Sequence, residues 1–149
     1  MKASTKTILG TGLAGAVVAG VLSLVVFALA KAAGVSFEVT QFGQESEVSY
    51  AMAALNAAVA VLIGTVLTAL LGARRLRLMQ IIGAVIAVLS IASPLSAAEE
   101  ASGKLVLAVL HLLTGLVFVA ALEVARRRIV ATGDAAAASD QEVVGRPTA

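Results

Sequence analysis

Residues 50–77, YAMAALNAAVAVLIGTVLTALLGARRLR, contain the pattern that decides the fold, a long apolar run closed by an arginine-rich turn. The run from Tyr50 to Leu71 contains no Asp, Glu, Lys or Arg. A transmembrane helix needs about 20 apolar residues, because each residue rises about 1.5 Å through a hydrocarbon core about 30 Å thick. Arg74, Arg75 and Arg77 follow a glycine directly after the run. This stretch therefore predicts a membrane-spanning helix that ends in a tight reversal.

The composition of the whole chain extends this interpretation. The 149 residues are 60% hydrophobic and only 13% charged, with a mean hydropathy of +1.01. Soluble domains are about 25% charged, so this chain has too little polar surface for one. Further runs complete four spans at about 7–30, 50–71, 78–95 and 105–125. We predict an all-α, membrane-embedded antiparallel four-helix bundle formed by residues 1–128, with an external loop at 32–49 and a disordered cytoplasmic tail at 129–149.

The distribution of charge predicts the direction of threading. Nine of the eleven basic residues fall on one side of the four predicted spans, and only Lys31 and Lys104 fall on the other. The side with these two lysines also carries five of the nine acidic residues, namely Glu38, Glu45, Glu47, Glu99 and Glu100. An excess of Lys and Arg marks the cytoplasmic side of a membrane protein. Both termini are therefore predicted to be cytoplasmic, in a multi-pass protein of the cell membrane.

The first run also has features of a secretory signal peptide. Lys2 and Lys6 precede it, and residues 28–30 (ALA) resemble a cleavage site. The run is longer than the usual apolar region of about 7–15 residues. We therefore favour a retained membrane helix.

The external loop alternates apolar and polar residues. Val35, Phe37 and Val39 alternate with polar neighbours, which is typical of a short strand or hairpin arm. Because an isolated pair of strands is marginal in water, we favour a loop packed on the outer mouth of the bundle. Phe37, Phe42 and Tyr50 also suit interfacial anchors.

Four polar residues, one from each span, are predicted to lie at similar depth. They lie about 9–13 Å below the outer ends of their helices, at 1.5 Å per residue; they are Ser23, Asn56, Ser90 and His111. Unpaired polar groups are costly inside a bilayer, so these side chains are expected to face inward and find one another. One interpretation is that the layer holds the helices together. The other is that His111 titrates, ligates or binds a small molecule in a cavity open to the outer face.

A second polar group is predicted near the cytoplasmic ends of the helices. Glu123 is the one acid inside a span, and Arg126 and Arg127 follow it at helical spacing. A local ion pair explains this pattern. The alternative is a proton or cation entry site that also includes Thr68 and Gln80.

Small residues and a proline shape the predicted helix packing. Gly12, Ala16 and Gly20 recur every four residues in the first span, as do Ala60, Gly64, Thr68 and Gly72 in the second. Such faces allow close helix contact, within the chain or in a homodimer. Pro94 is expected to end or kink the third helix.

Known catalytic and binding motifs are absent from the sequence. It contains no nucleophile–histidine–acid set, no HExxH motif, no phosphate-binding glycine loop and no nucleic-acid module. The chain has no cysteine and one histidine, too few ligands for zinc or for thiol chemistry. We therefore predict no enzymatic activity, no catalytic residue, no metal or cofactor site and no nucleic-acid partner.

Two segments resemble a family of small, uncharacterised four-helix membrane proteins of actinobacteria. They are residues 89–95, LSIASPL, and residues 104–115, KLVLAVLHLLTG, together with the arginine-bearing turn between the second and third helices. The resemblance extends from about Thr7 to Arg128. It implies the four-helix topology and draws attention to Pro94 and His111, but it implies no activity.

These observations favour a small accessory or scaffold subunit of the plasma membrane. Its expected partners are the lipid bilayer and another membrane protein or a second copy of itself. The alternative is a small transporter or ligand-binding membrane protein whose outer-leaflet cavity is lined by Asn56, Ser90 and His111. A hydrated pocket that reaches His111 favours this alternative, whereas a closed, dry bundle favours the scaffold.

Overall fold

The computed structural model describes residues 3–41, 44–98 and 100–144, and it is almost entirely helical. Its elements in chain order are α1 (Ala3–Ala32), β1 (Glu38–Gln41), β2 (Gln44–Glu47), α2 (Tyr50–Leu71), a single 3-10 turn (Ala73–Arg75), α3 (Leu76–Leu89), α4 (Ala92–Ala97) and α5 (Ala101–Val144). Four segments of the described chain are long and apolar enough to cross a membrane: Ala3–Ala32, Tyr50–Leu71, Ala73–Ala97 and Ala101–Gly133. The prediction of four such helices is confirmed.

The second span has the predicted bounds, and its two ends show why. Ser49 caps the helix by accepting a hydrogen bond from the Met52 backbone N–H at 3.2 Å. At the other end Gly72 adopts φ +81°, a left-handed conformation that glycine reaches without steric cost. The arginine-rich turn follows at once. A serine before the apolar run and a glycine after it therefore fix both ends of α2.

The third span is interrupted, at a point four residues before the proline. The helix α3 ends at Leu89, and α4 begins at Ala92, with Pro94 in its first turn. A proline ring clashes with the carbonyl of residue i−4, which here is Ser90. The predicted span 78–95 is therefore two helices, with the break at 90–91 displaced from Pro94 itself.

The last helix is longer than predicted at both ends. It begins at Ala101 and continues to Val144. The structure thus shows helix at residues 129–144, where the sequence predicts a disordered tail. Alanine has the highest helix propensity of any residue, and the segment after Gly133 is rich in it. Residues 145–149 of the predicted tail lie outside the described residues.

The external segment forms the hairpin that was the less favoured prediction. Strands β1 and β2 pair antiparallel, with Glu38 opposite Glu47 and Val39 opposite Ser46. An isolated bridge also joins Val39 to Ala98, after α4. Two strands alone are marginal in water, but packing against helices stabilises them. The hairpin therefore forms because it lies on the bundle, where the loop was expected to pack.

The described helices pack around two apolar clusters at opposite ends of the bundle. One contains Ile8, Leu76 and Leu122, and the other contains Phe27 and Phe37. The start of α1, the turn before α3 and the end of the membrane-length part of α5 all contribute to the first cluster. Lys6 and the basic segments at 74–77 and 126–128 therefore lie towards one end of the bundle, and the hairpin lies at the other.

The distribution of polarity across the bundle is the reverse of that in a soluble protein. Thr65 and Thr68 are buried in the interior, at 2% and 0% exposure. On the outside, Leu70 is 78% exposed, and Val17 and Leu116 are also exposed. Large apolar side chains turned outward from helices of this length are typical of surfaces that face lipid.

Candidate functional site: a cavity beneath the hairpin

A cavity of about 550 Å³ lies inside the hairpin end of the bundle. Its walls come from α2, α3 and α5, and Ser23 contributes from α1. The residues that line it are mostly small or apolar, such as Ala57, Ala60 and Ala87. The volume lies within the range of about 300–1,000 Å³ typical of sites for small molecules. The cavity is therefore large enough for a ligand.

The ring of Phe118 forms part of the floor of the cavity, together with Leu67 and Met79, and separates α2 from α3. A Cβ added to Gly64 in α2 would lie 2.7 Å from Phe118 Cε2, and one added to Gly83 in α3 would lie 2.5 Å from Phe118 Cδ1. Both glycine backbones therefore lie against the same ring. Although the chain joins α2 and α3 by a tight turn, α2 packs mainly on α1 and α3 mainly on α5. The space between α2 and α3 above Phe118 is the cavity.

The hairpin forms the roof. Val39, Ser46 and Val48 line the cavity from above. The Phe37 ring, fully buried, stacks on Phe27 of α1 with 4.1 Å between centroids. An ion pair between Lys31 and Glu47 ties the second strand to the end of α1. Phe37 is therefore an anchor of the roof in the interior, and its interfacial placement in the sequence prediction is wrong. Phe42 lies outside the described residues.

All four residues of the predicted polar layer line this one cavity. They are Ser23, Asn56 and His111, from α1, α2 and α5, and Ser90, from the break after α3. The structure therefore brings together the side chains that the depth argument placed at one level. The cavity also gathers the hydroxyl of Thr114, one turn after His111.

The expected hydrogen bonds between these four residues do not form among the described residues. His111 Nδ1 lies 2.8 Å from the Leu107 carbonyl oxygen, and the Ser90 hydroxyl donates to the Ala87 carbonyl at 2.8 Å. The side chains of His111 and Ser90 are thus each hydrogen-bonded to the backbone of their own segment. Serine and similar side chains readily bond the carbonyl three or four residues earlier, which satisfies them without a neighbouring helix. The prediction that they find one another is wrong.

Two of the four residues keep unused hydrogen-bonding capacity at the wall of the cavity. Ser23 is 1% exposed, and its Oγ has no partner within the described part of the chain. A carbonyl can only accept, so His111 Nδ1 carries the proton of their hydrogen bond, and Nε2 of the neutral ring is an acceptor. Buried polar groups normally have partners. A hydroxyl without one and a free ring nitrogen therefore mark the polar end of the cavity.

The second predicted polar group divides into two parts. Glu123 accepts hydrogen bonds from Arg126 at 2.7 and 2.8 Å and from Arg127 at 2.8 Å, as the local ion-pair interpretation predicts. Gln80 reaches the same carboxylate at 3.3 Å from α3. Thr68 is fully buried and donates to the Gly64 carbonyl of its own helix. Gln80 and Glu123 thus link α3 to α5, and Thr68 is separate from them.

The donor set around the cavity limits its chemistry. Among the described residues that line it, none is Asp, Glu, Lys or Arg. Within the same described part of the chain, no three His, Asp or Glu side chains cluster to hold a metal ion. The arrangement can bind a small molecule through apolar contact and a few neutral hydrogen bonds.

Two features of the site were not predicted from the sequence. One is the position of Phe118 between two glycines, and the other is which residues of the expected outer segment line the cavity, namely Val39, Ser46 and Val48. The sequence gives only a weak indication of this position: a large aromatic side chain in α5 needs small residues on any helix that it packs against. The sequence does not specify which glycines face it, because that depends on the rotation of each helix about its axis.

Comparison with known proteins adds a family without adding an activity. No curated protein and no solved structure matches the chain. A family of unknown function, DUF6069, matches residues 3–128, which include α1 to α4, the hairpin and the membrane-length part of α5. The chain therefore belongs to this family of unknown function.

Proposed function

We propose that this protein is a multi-pass membrane protein that binds a hydrophobic small molecule in the cavity beneath the hairpin, without catalysing a reaction on it. The observation that carries the proposal is the cavity of about 550 Å³, with apolar walls and its polar side chains collected at one end. Ligand sites in proteins have this composition, an apolar enclosure with a few placed polar groups.

The proposed membrane environment is supported by the outward-facing apolar surface and by the charge at the two ends. Lys6 and Arg128 line one shallow groove where α1 begins and α5 leaves the bundle. Basic residues concentrate on the cytoplasmic side of membrane proteins. We therefore propose that both termini are cytoplasmic and that the hairpin faces the outside of the cell.

Binding is a better account of the geometry than passage through the bundle. Below Phe118 the interior is packed by residues such as Ile8, Leu76 and Leu122, which leave 0–3% of their surfaces exposed. A transport route would require this half to open. The cavity has a closed floor, so we propose a ligand that enters and leaves on the same side of that floor.

The accessory or scaffold role expected from the sequence remains a prediction. The small-residue faces are predicted to pack within the chain or in a homodimer, and parts of both faces are used inside the chain. A Cβ on Gly12 would overlap Thr65 of α2, and the Gly64 backbone lies against Phe118. These glycines support packing within the bundle, which was the alternative to a homodimer.

Filling the cavity tests the proposed function. Ala60 lines the cavity and is exposed, so Ala60→Phe places a ring in the empty space. Ala84→Phe makes the same change at an exposed position of α3 that does not line the cavity. The three proteins are purified in mild detergent, and small molecules that remain bound are weighed by native mass spectrometry.

We expect the wild-type protein and Ala84→Phe to retain a non-covalent adduct that Ala60→Phe loses. Comparable retention by Ala60→Phe would show that the adduct binds elsewhere and would contradict the proposal. Loss of the adduct from both variants would also contradict the proposal, because the loss would not depend on filling the cavity.

A further inference from the structure

We infer that the ligand is a lipid with one hydrocarbon chain and a neutral, hydroxyl-bearing head, which enters from the bilayer between α2 and α3. This inference rests on the proposed function and specifies its ligand. The head lies among Ser23, Asn56 and His111, and the chain extends towards Phe118.

The length and width of the cavity indicate a single chain. Along α2 the cavity is lined from Met52 to Leu67, about 22 Å at 1.5 Å per residue, of which about 16 Å lie between Asn56, beside the head, and Leu67. Its walls along this length carry small residues such as Ala60 and Gly64. A volume of about 550 Å³ distributed over such a length describes a narrow channel. An extended hydrocarbon chain fits a space of this length and volume.

The absence of charge around the polar end indicates a neutral head. None of the described lining residues is Asp, Glu, Lys or Arg. His111 lies seven residues beyond Lys104, about 10 Å further along α5. A phosphate, carboxylate or ammonium held at that depth would lose water without gaining a counter-charge, which is strongly unfavourable. A neutral polar group incurs a much smaller penalty and recovers it by hydrogen bonding.

The hydrogen-bonding state of the polar end indicates a hydroxyl. With Nδ1 donating to the Leu107 carbonyl, the neutral form of the His111 ring offers Nε2 as an acceptor. The ligand must therefore donate a hydrogen bond there. The unpartnered Ser23 hydroxyl and the Asn56 amide can donate in return. A hydroxyl both donates and accepts, whereas an ether, ester or ketone oxygen only accepts.

The edges of the cavity indicate entry from the side. Ile63 of α2 and Ile86 of α3 line the cavity and are 57% and 59% exposed. Leu67 and Ile82 lie on the same two edges and are also exposed. The hairpin covers the outer end through Val39 and Val48, so the gap between α2 and α3 opens sideways, towards the proposed bilayer. A lipid can slide through such a gap with its chain still in an apolar environment.

Competition among matched probes tests the inference. The purified full-length protein in detergent is mixed with equal amounts of hexadecanol, hexadecyl methyl ether, hexadecanoate and hexadecylammonium, and the bound fraction of each is read by native mass spectrometry. We expect hexadecanol to bind about 3- to 10-fold more tightly than the ether, the value of one hydrogen bond. Both charged probes should bind more weakly than the ether. This comparison needs no variant, so it does not depend on whether a substitution alters folding.

Two variants then locate the head group. His111→Leu should reduce the preference for hexadecanol over the ether to about onefold, while binding of the ether itself is retained. Ser96→Ala removes an exposed hydroxyl of α4 that lies outside the cavity, and it should leave the preference unchanged.

The possible outcomes separate the inference from the proposed function. If no probe binds, both are wrong. If the ether binds as tightly as the alcohol, or a charged probe binds best, the cavity is a lipid site but the neutral hydroxyl head is wrong. If the alcohol preference survives His111→Leu, the head group lies elsewhere and the inference is also wrong.

Discussion

Replacing Gly83 by alanine should destabilise the bundle, because the added methyl group would meet the Phe118 ring. An ideal Cβ on Gly83 lies 2.5 Å from both Phe118 Cδ1 and Cε1, whereas optimal carbon–carbon separations are about 3.5–4.0 Å. The overlap is therefore about 1 Å at two atoms. On its other side the ring lies close to Gly64, since a Cβ there would lie 2.7 Å from Phe118 Cε2, so the ring can yield only towards the cavity that it borders. Either the ring rotates off its preferred rotamer or α2 and α3 move apart.

The size of the effect follows from two opposing terms. Overpacking a well-filled interior costs about 1–3 kcal/mol. Alanine in place of a helical glycine recovers up to about 1 kcal/mol. A matched control removes the second term: Gly10 is also in a helix, but a Cβ there has no neighbour within 4 Å. We expect Gly10→Ala to raise the free energy of unfolding slightly and Gly83→Ala to lie about 1–3 kcal/mol below it.

Unfolding in mixed micelles, followed by circular dichroism as the fraction of denaturing detergent rises, measures both variants. A double-mutant cycle then tests the cause. Phe118→Leu removes the ring, so Gly83→Ala should cost at least about 1 kcal/mol less in that background, a coupling typical of residues in contact. Equal stability of Gly83→Ala and Gly10→Ala would refute the reasoning, as would additivity in the cycle.

Three further predictions concern topology and packing. Because the chain has no cysteine, Glu45→Cys and Arg75→Cys each give a single reactive thiol. A membrane-impermeant maleimide should label the Glu45→Cys variant in intact cells and the Arg75→Cys variant only after permeabilisation. The reverse labelling pattern would invert the proposed orientation. Glu123→Gln should lower the free energy of unfolding by less than about 1 kcal/mol, because partly exposed ion pairs contribute little, and a loss above 2 kcal/mol would indicate a larger role for the carboxylate. Gly12→Leu should lower the unfolding midpoint, because the added side chain overlaps Thr65. The oligomeric state measured by light scattering should not change. If the wild-type protein is a dimer and the variant a monomer, this face lies between subunits instead.

The elements that could be predicted from the sequence are those governed by local chemistry. The bounds of α2 depend on a capping serine, an unbroken apolar run and a glycine with positive φ, and all three are visible in the chain. The sequence predicts the third span and an interruption at Pro94. The break lies at 90–91 instead, because the proline ring clashes with the carbonyl four residues earlier. The absence of apolar periodicity after Arg128 predicts disorder, whereas the high helix propensity of alanine favours the helix that α5 forms there.

The arrangement of the candidate site was only half predictable. Depth along a helix follows from the rise per residue, which is why the four polar residues share a cavity. Rotation about each helix axis does not follow from composition when apolar residues surround it, so the position of Phe118 between Gly64 and Gly83 was not predicted. The bonding of His111 and Ser90 to their own helices also depends on side-chain rotamers.

Replacing Ser23 tests which of the two interpretations of the polar layer is correct. If the layer held helices together, removing a member would break a contact between helices. In the structure, however, Ser23 Oγ has no partner among the described residues and is buried, a state that costs free energy in the absence of a ligand or water. Ser23→Ala should therefore leave the free energy of unfolding unchanged or raise it by up to about 2 kcal/mol, while weakening binding of hexadecanol. Ser96→Ala is the matched control, with neither effect. A polar side chain kept at a cost to stability is expected where it serves a ligand; a loss of stability in Ser23→Ala would instead assign the layer to helix association.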